Sequence, residues 1–320
     1  MKLNVLFIGL GSIGSRHLKN LSAICRERDI DLNITALRSD LNRTLRDGVE
    51  ELLDQQLPDL GEEIIGHYDI AFVTNPTSLH ADTVERLRGK AGALFVEKPI
   101  FSNDCVDADI EKIFGHDARA YVAAPMRYSA VMMAAKEYLE ANREKRPYCA
   151  RAISSSYLPD WRPGVDYRQV YSARRELGGG VTIDLIHEWD YLTFLFGKPE
   201  KVYNFKGTYS DLEINSDDLS VYIAKYPTML AELHLDYFGR KNTRYLEVYF
   251  EDGTLRVDFI NMNVEYPDGT IKHFDDSTAE WYIREMNTFL DFVLSGAKES
   301  SNTPAEALDT LKITLAEENR

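Results

Sequence analysis

Three observations predict an α/β chain of two domains. A strand-like apolar run ends in Gly9-Leu10-Gly11-Ser12-Ile13-Gly14, strand and helix spacings then alternate as far as residue 124, and beyond Pro125 the rhythm turns to short period-2 segments. Residues 1–124 therefore read as a parallel sheet of the Rossmann nucleotide-binding type, and residues 125–320 as an α+β domain built on a large, mostly antiparallel sheet. A chain of 320 residues is long enough to bury both cores.

In the first domain the strand candidates are 3–8, 32–37, 69–73, 92–97 and 120–124, with helical spacing over 13–28, 40–56, 79–88 and 103–114. Right-handed crossovers align the loops after these strands along one ligand-binding edge. Beyond Pro125 the pattern predicts a helix over 129–141, a strand near 148–156 and a helix over 181–196. Four period-2 faces follow: Leu219, Val221 and Ile223; Leu233, Leu235 and Tyr237; Leu246, Val248 and Phe250; Leu255, Val257 and Phe259. Glu251-Asp252-Gly253-Thr254 has hairpin-turn chemistry between the last two. Helices over 280–295 and 305–318 close the chain, the second behind Thr303-Pro304, and they could return to brace the first domain.

Composition narrows the function classes. The chain is 44% hydrophobic and 28% charged, and no apolar run approaches the roughly 20 residues of a membrane span. Lys2-Leu3-Asn4-Val5-Leu6-Phe7-Ile8 runs straight into glycines instead of a cleavage site, so the expected location is cytoplasmic. Cys25, Cys105 and Cys149 suit neither a disulfide framework nor a metal pair. A net charge of −15 disfavours nucleic acid and anionic membranes as partners. The acidic groups at Glu50-Glu51, Asp54, Glu62-Glu63, Asp104 to Asp109 and Glu317-Glu318 read as solvated faces.

The glycine run carries the cofactor reading. Gly9 permits the tight turn, Gly11 admits a pyrophosphate to the backbone, Gly14 lets the helix pack on its strand, and the amides from Ser12 and Ile13 onward face the phosphates. After the second strand, Leu37-Arg38-Ser39 lacks the acidic residue that holds an NAD ribose. Arg38 and Ser39 suit a 2′-phosphate, which favours NADP over NAD. Asp40 leaves NAD open, either holding ribose or capping the next helix. Thr74, Asn75, Pro76 and His80 form a polar turn suited to lining the cofactor, with an early-helix hydrogen bond as the plainer reading of His80.

Lys98, in Val96-Glu97-Lys98-Pro99, ends an apolar strand that proline terminates, which puts an ammonium at the ligand-binding edge. Gly178-Gly179-Gly180 precedes a predicted helix on which Asp184 and His187 share a face, with Tyr191 one turn beyond. His187 suits proton exchange with a substrate hydroxyl, Asp184 suits orientation of the site, and Lys98 suits polarisation of the same oxygen. Glu188 and Asp190 also carry ligand atoms, but neighbouring helical residues diverge, so no metal is expected. Arg127 and the segment 157–175 supply the substrate-side candidates, chiefly Tyr157, Trp161, Arg162 and Tyr171, with Asp160, Asp166, Tyr167, Arg168, Arg174 and Arg175 around them. Aromatic faces, carboxylates and guanidinium groups together suit a polar, negatively charged ring; a solvated loop is the alternative.

These motifs together resemble the glucose-fructose oxidoreductase, inositol dehydrogenase and MocA family across nearly the whole chain. The resemblance implies an NAD(P)-dependent oxidoreductase acting on a hydroxyl or ketone of a sugar derivative. It implies that Lys98 is catalytic, that His187 transfers a proton, that Asp184 organises substrate, that Glu97 lies at the nicotinamide site and that the peptide before Pro99 is cis. It also implies a homodimer or homotetramer formed through the carboxyl-terminal sheet. Asp160-Trp161-Arg162-Pro163-Gly164 and Tyr171-Ser172-Ala173 are similar to members of bacterial surface-glycan pathways, pointing to an aminosugar, sugar acid or nucleotide sugar. A cofactor-retaining epimerase and a non-catalytic NAD(P)-sensing regulator are the competing classes.

Overall fold

The structure is a computed structural model that describes residues 1–59, 61 and 64–316. Glu62, Glu63, Glu317 and Glu318, and with them the end of the predicted helix 305–318, lie outside the described residues. The chain forms two compact units. One is Met1–Pro125 with Tyr282–Leu308, the other Met126–Trp281 with the chain from Asp309 onward.

In the first unit β1 (Lys2–Ile8), β2 (Asp31–Arg38), β3 (Gln55–Pro58), β4 (Tyr68–Val73), β5 (Ala91–Val96) and β6 (Ala120–Val122) form an all-parallel sheet in the order β3-β2-β1-β4-β5-β6. The strand order reverses beside β1, which is where an open parallel sheet binds its ligand. The helices α1 (Ser12–Glu27), α2 (His80–Leu87) and α3 (Ile110–Phe114) are connected to it. The predicted helix over 40–56 is absent. Its one buried apolar residue is Val49, Asp40 and Asp54 accept backbone N–H groups of Asn42 and Ile34, and residues 55–58 pair with β2 as β3. The predicted helix over 103–114 is reduced to α3, because Asp109 caps Lys112 N and starts the helix late. The Tyr282–Leu308 segment completes this unit. Phe289 is fully buried among Phe72, Phe95 and Tyr121, while Glu285 Oε1 accepts Tyr121 Oη at 2.9 Å and Ala124 N at 2.6 Å.

The second unit contains α4 (Ala130–Ala141), β7 (Cys149–Tyr157), α5 (Val181–Asp184), α6 (His187–Phe196), β8 (Lys201–Gly207), β9 (Leu219–Lys225), β10 (Leu230–Asp236), β11 (Phe238–Phe250), β12 (Gly253–Asp258), β13 (Asn263–Glu265) and β14 (Ile271–His273). The sheet order is β14-β13-β12-β11-β7-β10-β9-β8, antiparallel except for β7 against β10. The chain closes with α7 (Thr278–Ser295), which crosses from one unit's residues into the other's, and α8 (Pro304–Thr314). The predicted faces of β10, β11 and β12 enter the core. That of β9 does not. Ser220, Tyr222 and Ala224 point inward, and Leu219, Val221 and Ile223 lie on the outer face, because Tyr222 packs edge-on against Trp189 and donates its hydroxyl to Thr314 O. The strand β8 escaped the sequence reading because its exposed Tyr203 and Phe205 invert the usual apolar-inside alternation.

Candidate active site

The glycine turn is built for close approach. Gly9 has φ +89°, and a side chain there would press on the Asn75 backbone at 2.7 Å. A Cβ on Gly14 would lie 2.3 Å from Gly9 O, whereas one on Gly11 would meet nothing within 4 Å. Gly11 is the cap of α1 without a side-chain cap bond, and the first turn, with Ser12 and Ile13, carries no acidic residue. Open space over uncapped helix amides fits a dinucleotide's phosphates.

The polar turn after β4 faces inward. Thr74 donates its hydroxyl to Gly9 O at 2.5 Å, and Asn75 Nδ2 donates to Thr83 Oγ1 at 2.8 Å. His80 is 1% exposed, with Nδ1 at 3.2 Å from Pro99 O and Ile100 O and Nε2 at 3.1 Å from Asn75 O. His80 and Thr74 thus brace the turn and do not line a cofactor; Pro76 alone of these is exposed. Burial pulls the His80 pKa down against its carbonyl partners. At the end of β2, Arg38 is also drawn in: Nη1 donates to Gln56 Oε1 at 2.6 Å and Nη2 to Arg43 O. Its guanidinium therefore fastens the 41–43 turn and the edge strand, and the exposed groups are Ser39 and Asp40.

Lys98 follows β5, half-buried, and its peptide to Pro99 is cis, as the resemblance implied. Glu97 is 7% exposed, with Oε1 at 2.5 Å from His17 Nε2 and Oε2 accepting Lys98 N at 3.0 Å. Burial alone would raise its pKa. The His17 hydrogen bond and the positive charges of His17 and Lys98 outweigh that and hold the carboxyl below the ordinary range. His17 escaped the sequence reading; its place one turn beyond Gly14 was the available signal.

In the second unit the predicted helix over 181–196 is broken. Leu185 leaves helical geometry at ψ 30°, and Ile186 and Glu188 donate to carbonyls three residues back. Asp184 thus ends α5 and His187 begins α6, so they do not share one continuous helix face. Three features fix the start of α5: a Cβ on Gly179 would lie 2.0 Å from Tyr171 O, Gly180 takes φ +132°, and Asp217 accepts Thr182 N at 2.9 Å. From Gly180 to Leu192 every residue is buried except His187. Asp184 accepts Tyr237 Oη at 2.5 Å, with Trp161 edge-on to Tyr237 at 5.2 Å. Burial and the Asp184 carboxylate push the Tyr237 pKa well up, so the phenol remains a donor. Tyr237 was read only as a core-facing strand residue. The other acidic side chains diverge, Glu188 to Arg244 at 2.5 Å and Asp190 to Arg127 at 2.7 and 3.0 Å. Tyr191 is not on a polar face; it is buried and stacks on Phe259.

One substrate-side assignment changes. Arg127, 7% exposed, braces Asp190 in a two-pronged pair and is not presented to a ligand. Tyr157, at the end of β7, lies under the Arg240 guanidinium and packs against the core of the second unit, the core that Tyr237 enters. The rest of the segment is a chain of short turns. Arg168 pairs with Asp166 and Glu213, and Arg174 with Gln169 and Glu176. The guanidinium groups of Arg162 and Arg175 have no hydrogen bond or ion pair among the described residues, and Trp161 and Tyr171 stay 38% and 40% exposed.

Residues 3–112 match the oxidoreductase family with an NAD-binding Rossmann fold, and residues 132–256 match the GFO/IDH/MocA C-terminal domain. No curated protein sequence matches the chain. Among solved structures it is similar to an oxidoreductase from Agrobacterium radiobacter in complex with NAD+, L-tartaric acid and magnesium, at TM-score 0.81 and 18% identity over 99% of this chain and 95% of that one. Myo-inositol 2-dehydrogenase from Lactobacillus plantarum gives TM-score 0.77 and 20% identity over 98% and 95%. The WlbA dehydrogenase from Bordetella pertussis, in complex with NADH and UDP-GlcNAcA, gives 0.76 and 17% over 98% and 94%. At these identities the likeness establishes the fold. With both domain matches in order along one sequence, the chain belongs to the Gfo/Idh/MocA oxidoreductase family.

Proposed function

We propose that the protein is an NAD(P)-dependent oxidoreductase acting on a hydroxyl or ketone of a sugar derivative. The observation that carries the reading is His187, the single side chain left partly accessible in a buried stretch, three residues from an aspartate held by a buried phenol. A nicotinamide ring, when bound, supplies or accepts the hydride. In the alcohol-to-ketone direction His187 takes the hydroxyl proton, Asp184 orients the site with Tyr237 fixing its carboxylate, and the Lys98 ammonium stabilises charge on the oxygen. In the reverse direction His187 returns the proton.

The finer substrate reading is an anionic sugar: a sugar acid, aminosugar derivative or nucleotide sugar of bacterial surface-glycan synthesis. The unpaired Arg162 and Arg175 and the exposed rings of Trp161 and Tyr171 support it, as does the nucleotide sugar acid bound by the Bordetella pertussis relative. For the cofactor, NADP is the finer reading, supported by the lack of an acidic residue at Arg38 and Ser39. The contact to a 2′-phosphate then falls to Ser39, and Arg38→Ala weakens NADPH and NADH binding alike. We also propose a cytoplasmic protein that self-associates as a homodimer or homotetramer through the outer face of the sheet, where Phe205 and Ile223 are 55% and 42% exposed; light scattering of Phe205→Glu tests this.

The deciding experiment is NAD(P)H turnover on panels of sugar acids and nucleotide sugars and their keto forms, with the products identified by mass and stereochemistry. Net cofactor oxidation or reduction supports a dehydrogenase. Epimerised product without net cofactor change moves the reading to a cofactor-retaining epimerase, and cofactor binding with no turnover on any panel sinks it.

A further inference from the structure

We propose that His17 is a positioning residue for Lys98: it holds the Glu97 carboxylate, which fixes the Lys98 peptide, and so links the helix that starts at the glycine turn to the candidate catalytic ammonium. This rests on the dehydrogenase reading only for its kinetic consequence.

The geometry is a bridge. His17 is fully buried on α1, and its Nε2 lies 2.5 Å from Glu97 Oε1. The other carboxylate oxygen accepts the Lys98 backbone N–H at 3.0 Å. An ionised carboxylate only accepts, so Nε2 is the donor and the order runs from helix to carboxylate to the lysine peptide. From the other side His80, on α2, approaches the carbonyls of Pro99 and Ile100, both at 3.2 Å. The peptide carrying Lys98 is therefore gripped by two buried histidines from two helices.

Packing alone does not call for a histidine at position 17. Its ring lies 4.6 Å from Phe95, 6.3 Å from Phe72 and 5.8 Å from Tyr282, centroid to centroid, an aromatic cage that an apolar side chain would fill. Its Nδ1 has no hydrogen-bond partner among the described residues. Replacing a buried polar pair with apolar groups of similar volume is often neutral or stabilising, so the pair is costly as mere filling. What it does provide is a defined position for the Lys98 backbone.

The test compares His17→Leu with His17→Gln, which restores an N–H donor at the end of an unbranched side chain. Lys98 is followed directly by the NMR resonance of its ¹³C-dimethylated amine, assigned with Lys98→Arg, with and without NADPH or NADH. The expected result in His17→Leu is a shifted Lys98 resonance, a lost or reduced response to cofactor, and kcat lowered about 10- to 100-fold with KM little changed, the scale of a reacting group misplaced by about an ångström. His17→Gln should recover both signals. If His17→Leu fails to fold, the pair His17→Leu with Glu97→Gln, which also removes the buried charge, takes its place. A folded variant with reduced melting temperature but unchanged Lys98 resonance and kcat overturns the inference. If even the unaltered protein turns over no sugar, the dehydrogenase reading fails, and the Lys98 resonance still decides the role of His17.

Discussion

Lys98 and His187 are held by opposite means. Around Lys98 the main chain is the object gripped: Glu97 takes its N–H, and His80 approaches the next two carbonyls. Around His187 the side chains are pinned one to one, Asp184 by Tyr237, Glu188 by Arg244 and Asp190 by Arg127, while His187 stands at a helix break. The first arrangement sets where a flexible ammonium stem begins. The second fixes the carboxylates around an imidazole and leaves the imidazole accessible. A change in the first should thus act on Lys98 through the backbone, and a change in the second should act on one partner and leave a buried charge behind.

The largest test of this contrast removes the reacting groups themselves. His187→Asn and Lys98→Met should each lower kcat by about 10²- to 10⁴-fold while cofactor affinity, read by fluorescence titration, holds. An effect confined to KM in either variant would assign that residue to binding alone. The next effect is on stability. Arg127→Met leaves the buried Asp190 unpaired and should cost about 3–5 kcal/mol in chemical denaturation. An intact fold with selective loss of substrate affinity would return Arg127 to the substrate site. A smaller effect is expected for Tyr237→Phe, which keeps the ring against Trp161 and removes only the donor to Asp184. A hydrogen bond to a charged group contributes about 1.5–3 kcal/mol, so kcat/KM should fall by about 10- to 100-fold.

The same contrast explains what the sequence could reveal. Lys98 was legible because every signal is local: an apolar strand, a proline that ends it and a glycine turn upstream. Its support was not, since His17 and Glu97 are 80 positions apart, and Tyr237 and Asp184 are 53 apart. Periodicity also misled where burial did not follow it. In β9 the aliphatic set Leu219, Val221 and Ile223 is the outer face, because the partner strand and Trp189 fix the register that puts Tyr222 inside. Over 40–56 the spacing was helical, but with one residue to bury the segment gained more from pairing its end with β2. The helix over 181–196 was located correctly as a segment, and its break at Leu185 and Ile186 left no mark in composition.

The smallest effect concerns pH and separates the two histidines that grip the Lys98 peptide. His80 is buried and its pKa lies below the ordinary 6.5. The unfolded chain therefore takes up its proton first on acidification. The stability tied to a neutral His80 is fully present above about pH 6.5 and declines as the pH falls through the folded-state value, at no more than about 1.4 kcal/mol per pH unit. Glu97 also has a depressed pKa, but its ordinary value is 4.5, so its contribution stays intact in this window and fades only at more acidic pH. Urea denaturation of the unaltered protein and of His80→Gln between pH 7 and pH 5 should then diverge in slope, the variant losing less stability as acid is added. Equal slopes would mean that folding leaves the His80 pKa unshifted, and a variant that loses more stability than the unaltered protein would mean that His80 is already charged in the folded state, held so by the three carbonyl oxygens around it. The grip on the Lys98 peptide would then be an ionic one on both sides.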